Sequence, residues 1–172
     1  SKPQTMEISM PSNDKVSEEE QNKVQASRAI TVLLGADNQL FYYAGEPSYE
    51  DYTSLKETSY EPDGLRALLL NRNKEVVTKM NQLKQDKADN KLTEEQYDEK
   101  VSELRKTERT SPIVLIKATD EASYKNLIDV LDEMHICNIS KYAIVDITDG
   151  DKFLMENLLS KGGLTEQIDR SK

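Results

Sequence analysis

Cysteine and histidine occur once each in the 172 residues, and cations are in deficit, with 23 Lys and Arg against 32 Asp and Glu. The lone Cys137 forbids an intrachain disulfide, so stability has to come from packing; disulfide-free domains occur in reducing and oxidising compartments alike, and location stays open. A net charge of −9 speaks against nucleic acid and anionic lipid as partners, because recognising phosphates needs a basic face. Zinc needs three or four convergent ligands, and His135 and Cys137 at i, i+2 do not converge; His135 suits the C-terminal turn of a helix instead. A Cys–His nucleophile lacks an oxyanion loop and a third orienting group here. The six glycines never take the GxGxxG or GxxxxGK[ST] spacing that cradles phosphates. Asp149 and Asp151 flank Gly150 without the rest of a twelve-residue calcium loop, and read as a turn and helix cap. No metal, cofactor or small-molecule substrate is expected, and the chain does not read as an enzyme. The longest apolar stretches, residues 29–34 and 113–116, fall far short of the roughly 20 needed to cross a bilayer as a helix. No basic region followed by an apolar run opens the chain.

What is present has the length of one domain, able to bury roughly two-thirds of its unfolded surface. Residues 1–28 read as a flexible linker: residues 13–25 are polar and acidic, with Val16 and Val24 as their only apolar side chains. Within it, residues 5–10 form a short conditional strand, since Met6, Ile8 and Met10 alternate with polar residues and Pro11 ends the run. Burying each of these side chains contributes about 1.5 to 3 kcal/mol, and fixing each backbone unit costs about 1 to 2 kcal/mol, so the two nearly cancel. Such a segment orders only where a sheet edge supplies backbone hydrogen bonds.

Residues 29–160 read as the folded domain. Ala29-Ile30-Thr31-Val32-Leu33-Leu34, a Gly35-Ala36-Asp37-Asn38 turn and Gln39-Leu40-Phe41-Tyr42-Tyr43-Ala44 make a β-hairpin. Residues 48–61 read as a surface loop, and the tyrosines at 42, 43, 49, 52 and 60 as packing groups. Pro62-Asp63 starts a helix that runs through Leu65, Leu68, Leu69, Val76, Met80 and Leu83. Residues 72–109 look like an inserted, charged helical hairpin, with a capping box at Thr93 and Gln96 and a narrow stripe of Tyr97, Val101 and Leu104. Residues 113–116 suit a strand buried on both faces. Asp120 caps the next helix, with Tyr124, Leu127, Ile128, Leu131 and Met134 on one face, and residues 141–147 form another strand, completing a right-handed βαβ unit. A short final helix carries Phe153, Leu154, Leu158 and Leu159, and residues 161–172 are a C-terminal tail. The expected fold is mixed α/β (α+β): a mixed β-sheet with two main helices packed on one face, plus the inserted helical hairpin.

Two passages resemble the ExbD/TolR family of biopolymer-transport proteins. The first runs from Ala29-Ile30-Thr31-Val32 through Ala36-Asp37-Asn38 to Gly45-Glu46-Pro47. The second runs from Ile113-Val114-Leu115-Ile116-Lys117-Ala118-Thr119-Asp120 through Tyr124, Leu127, Val130, Met134 and His135 to Ile144-Val145. The stretch from Pro3-Gln4 to Met10-Pro11 is similar to the extended segment that such proteins carry just after their membrane helix. The family-motif positions are thus Asp37, Asn38, Lys117, Asp120 and Tyr124. The chain departs from the family at Thr119, where Asp is usual, in the insertion at 72–109 and in the tail.

The resemblance implies the periplasmic domain of an ExbD-like, single-pass inner-membrane subunit, starting just beyond a membrane helix not contained in this chain. It implies a homodimer, an ExbB-like pore subunit contacted through that helix, and a TonB-like protein that energises outer-membrane transport from the proton motive force. Met6, Ile8, Met10 and Pro11 are expected to serve partner or dimer binding by strand exchange. A TolR-like subunit that contacts peptidoglycan, or a stand-alone α/β adaptor domain, are the alternative readings.

Overall fold

In the computed structural model residues 26–171 are described, so the strand expected around Met6, Ile8 and Met10, and Pro11 after it, lie outside the described residues. The described residues build one five-stranded sheet in the order β3-β2-β1-β4-β5. β1 (Ala29–Leu34) lies at its centre, antiparallel to β2 (Leu40–Ala44) and parallel to β4 (Ile113–Ala118). β2 is flanked by the antiparallel β3 (Lys56–Thr58), and β4 by the parallel β5 (Tyr142–Ile144). The β1–β2 turn works because Asp37 and Asn38 both take the left-handed conformation, at φ 53° and 62°, which short polar side chains tolerate and which matches the twist of a two-residue hairpin.

Strand side chains alternate between two cores. Ile30, Val32, Leu34, Val114 and Ile116 meet Leu65 and Leu69 of the 62–72 region and Val130 and Met134 of a second helix. Leu33, Phe41 and Tyr43 point the other way and are covered by Leu154 and Met155. The architecture is the expected mixed α/β sheet with two main helices on one face; the short helix α5 (Asp149–Leu159) supplies the cover for the opposite face.

The helix that begins at Pro62 is broken twice. Gly64 leaves helical geometry and sits so close to Ser59 that a Cβ there would lie 2.3 Å from the Ser59 carbonyl oxygen, which leaves room only for glycine. Asn73 (φ −112°, ψ 22°) then separates α1 (Ala67–Arg72) from α2 (Lys74–Ala88). α2 and α3 (Glu94–Thr107) form the charged hairpin, with the expected Thr93/Gln96 capping box. α3 buries no residue, whereas α2 buries Val76 and Met80 at its base.

Four local expectations need correction. Residues 48–61 are not all loop: they include a 3₁₀ turn (Tyr52–Ser54) and the edge strand β3, with Leu55 buried between them. The cap of α4 (Tyr124–Ile136) is Ser123, not Asp120, because Ala122 N–H donates to the Thr119 carbonyl and turns the chain once more before the helix starts. The buried face of α4 runs through Asn126, Val130 and Met134, which leaves Tyr124 76% exposed. The last strand ends at Ile144, after which the chain crosses to deliver Ile147 to the second core. At the C-terminus, Gly163–Ser171 forms a further helix, α6, and Asn157 on α5 bonds both the amide and the hydroxyl of Thr165.

The contrast between core and hairpin is measurable. Met134→Ala empties a fully buried position and is expected to cost about 2–5 kcal/mol; Leu104→Ala, half-exposed in the hairpin seam, is expected to cost about 1 kcal/mol or less. Urea midpoints at constant m-value separate the two, and equal losses would make the hairpin part of the core.

Candidate functional site

The family-motif positions gather at one end of the sheet, where β1 and β4 finish side by side and the Thr119 amide donates to the Leu34 carbonyl. Asn38 accepts at Oδ1 from Asn126 Nδ2 (3.0 Å), which ties the hairpin turn to the buried face of α4. Asp37 is exposed beside it, as are Asp120 in the turn before α4 and Tyr124, the first residue of α4. Lys117 faces the opposite layer, where its Nζ donates to Asp151 Oδ2 at 2.8 Å. Asp151, 1% exposed, also accepts from Tyr43 OH (3.0 Å) and from the Thr148 amide. Thr148, not Asp149, is the N-cap of α5, and Asp151 is its capping-box partner. One carboxylate thus binds strand β4, strand β2 and helix α5 together.

A second buried carboxylate lies at the other end of the parallel strands. Glu108, 8% exposed, accepts from Lys141 Nζ, from the Ser111 amide (2.8 Å) and from Arg28 Nη2 (3.4 Å). Arg28 also donates twice to the Ser111 carbonyl. Residues 28, 111 and 141 each precede a parallel strand, so this cluster fastens the roots of β1, β4 and β5. Sequence reasoning missed it: its members are 80 and 33 positions apart, and no local pattern marks them among so many charges.

The sheet has two edges of different character. β3 is three residues long, with Lys56 and Glu57 exposed, a short charged strand of the kind that discourages pairing. At β5, Val114 N–H donates to Lys141 O and Val145 N–H donates to Ile116 O, so residues 141, 143 and 145 face β4. The backbone groups of Tyr142 and Ile144 therefore point outward, with no backbone partner among the described residues. This edge can accept an extended segment by main-chain pairing.

The remaining candidates are apart from it. His135 is exposed in the last turn of α4, while Cys137 is fully buried, with its Sγ 3.7 Å from the Arg66 carbonyl oxygen and 4.0 Å from Glu133. Burial and the Glu133 charge push the thiol up to about 11, which leaves it a protonated core group. Of the tyrosines, Tyr49 packs on Phe153 and Tyr52 lies against Gly162. Among the described residues no three His, Cys, Asp or Glu side chains are grouped to hold a metal ion.

Burial alone would raise the Asp151 carboxyl, but the bonds from Lys117 and Thr148, with the Lys117 charge, hold it below its ordinary value. A carboxyl lowered in this way adds stability that is complete above the ordinary carboxylate range, near pH 4, and is lost as the pH falls through the depressed value. Asp151→Asn is therefore expected to be less stable than the parent at neutral pH, with the gap narrowing as the pH falls below the ordinary carboxylate range. Urea titrations at stepped pH measure this; a gap independent of pH would show that the Asp151 charge does not support the fold.

The chain matches the family model for biopolymer transport protein ExbD/TolR over residues 1–147. No curated protein and no solved structure matches it. No helix among the described residues is long and apolar enough to cross a membrane. The family match takes in residues 1–28, the sheet and the helical hairpin, and stops just before α5. That family is one of transport-associated proteins that work in membrane complexes and are not enzymes, and the chain belongs to it: it is a member of the ExbD/TolR family of biopolymer-transport proteins.

Proposed function

We propose that this chain is the periplasmic domain of an ExbD-like subunit, in an inner-membrane motor that uses the proton motive force to energise TonB-dependent outer-membrane transport. The observation that carries the reading, beyond family membership, is the β5 edge. A domain that relays the state of a motor needs a site where pairing is made and broken cheaply, and the unpaired outer edge of a three-residue strand is such a site.

In this reading a membrane helix with its proton-carrying aspartate precedes Ser1, and an ExbB-like pore surrounds it. Residues 1–28 act as a tether. Met6, Ile8 and Met10 add as a strand to the sheet edge of the partner protomer, with Pro11 ending the pairing. A TonB-like protein competes for the same kind of edge, so that dimer pairing and partner pairing exclude one another. The near balance between burying three apolar side chains and ordering the backbone sets this exchange close to zero net free energy.

Light scattering across a concentration series, on the full chain and on a form lacking residues 1–25, tests the dimer. The full chain is expected to dimerise and the truncated form to dimerise more weakly; two monomers would remove strand exchange from the account. A synthetic peptide of residues 3–12, added to the truncated form, is expected to shift the amides of Tyr142 and Ile144, and a lack of shifts there would count against β5 as the receiving edge. Co-sedimentation with purified cell wall is expected to leave the domain in solution, whereas retention would favour the TolR-like role.

A further inference from the structure

The inserted hairpin is attached to the rest of the fold in a way that a passive spacer would not need. Its two ends hold the same short stretch of chain, residues 137–141, which carries α4 into edge strand β5. At the entry, Asn73 donates from Nδ2 to the carbonyls of Cys137 (2.9 Å) and Asn138 (3.1 Å). Asn73 is 1% exposed and its Oδ1 has no partner among the described residues, so these two donated bonds are what offsets its burial. At the exit, Glu108 binds the Lys141 ammonium, which also donates to the Arg105 carbonyl in the last turn of α3. Lys141 faces two ways: its side chain ends in the hairpin's exit, and its own carbonyl accepts the Val114 amide as the first bond of the β4–β5 ladder. Between the two grips Cys137 and Ile139 are buried in the main core, while the outer side of the stretch lines a cleft of about 220 Å³ among Arg105, His135, Asn138, Ser140 and Tyr142.

From this arrangement we infer that the α2–α3 hairpin is a control lever for edge strand β5: its posture sets, through Asn73 and Glu108, whether the loop at 137–141 holds β5 against β4. A partner that bends or braces the hairpin thereby changes the strand to which an extended segment would add. The geometry of the lever is independent of what pairs with β5; its regulatory meaning rests on the reading of β5 as the partner edge.

Amide hydrogen exchange on the full chain, with no partner present, reads the lever alone. Two variants act at different points: Glu108→Gln weakens the exit grip, and Val101→Gly loosens α3 within the hairpin without touching residues 137–141. The amides to follow are Val114, bonded to Lys141, and Val145, bonded to Ile116. Both are expected to exchange about tenfold faster in each variant; in the Val101→Gly protein the β1–β2 amides are expected to stay unchanged, because only the local opening has become easier, whereas Glu108→Gln also loosens the root of β1 through Arg28. Faster exchange in α3 of the Val101→Gly protein with Val114 and Val145 unaltered would overturn the inference, as would equal acceleration throughout β1 and β2. Should Glu108→Gln fail to fold, Val101→Gly decides alone. Failure of the residue 3–12 peptide to bind β5 would leave this result standing, so the two readings fail separately.

Discussion

A carboxylate buried against two cations is stable only when every partner is in place, and Glu108 is such a group. Removing it from water costs several kcal/mol, which the attraction of Lys141 and Arg28 offsets only at hydrogen-bonding distance, with the Ser111 amide filling a further lone pair. The consequence is topological. Three stretches far apart in sequence must arrive together at the roots of β1, β4 and β5, or the charge is left stranded. The parallel half of the sheet depends on this meeting, because parallel strands have no tight turn between them to fix their register. Asp151 repeats the device on the other side of the sheet, joining β4 to α5 through Lys117 and to β2 through Tyr43.

These two anchors explain why the sheet can carry an open edge. β5 is only three residues long and buries little on its own, yet Lys141, the residue just before it, is locked at the side chain by Glu108 and at the carbonyl by Val114. A strand so held stays in place without a neighbour on its outer side, which keeps the outward groups of Tyr142 and Ile144 available. The charged, three-residue β3 shows the contrasting treatment of an edge, shielded by Lys56 and Glu57. The difference between the edges is what gives the domain a direction.

Much of this was legible in the sequence. The β1–β2 hairpin follows from alternation around two residues that tolerate left-handed geometry, and the β4–α4–β5 unit from an apolar run, a helical period and a second run. The resemblance to the ExbD/TolR family rested on those same elements, and the family match covers them. Illegible parts failed for physical reasons. Lys56–Thr58 carries no alternation because an edge strand need not bury a face. Val145 and Ile147 look like a continuing strand, but Ile147 serves the opposite core. Asp120 has the chemistry of a cap, and one extra turn at Thr119 hands that role to Ser123. The Glu108 and Asp151 clusters join charges brought near only by the finished fold.

The claim that β5 is the receiving edge is tested most directly by removing one outward hydrogen-bond donor. Proline at position 144 deletes an amide that faces away from β4, so the β4–β5 bonds at Lys141 and Val145 can persist. Ile144→Ala accounts for the lost side chain. Measured by light scattering on the full chain, Ile144→Pro is expected to weaken dimerisation to the level of the form lacking residues 1–25 while Ile144→Ala keeps the parent's strength, both with the circular dichroism of the parent. Dimerisation of the proline variant at the parent's strength would contradict the account, and place the pairing elsewhere on the domain.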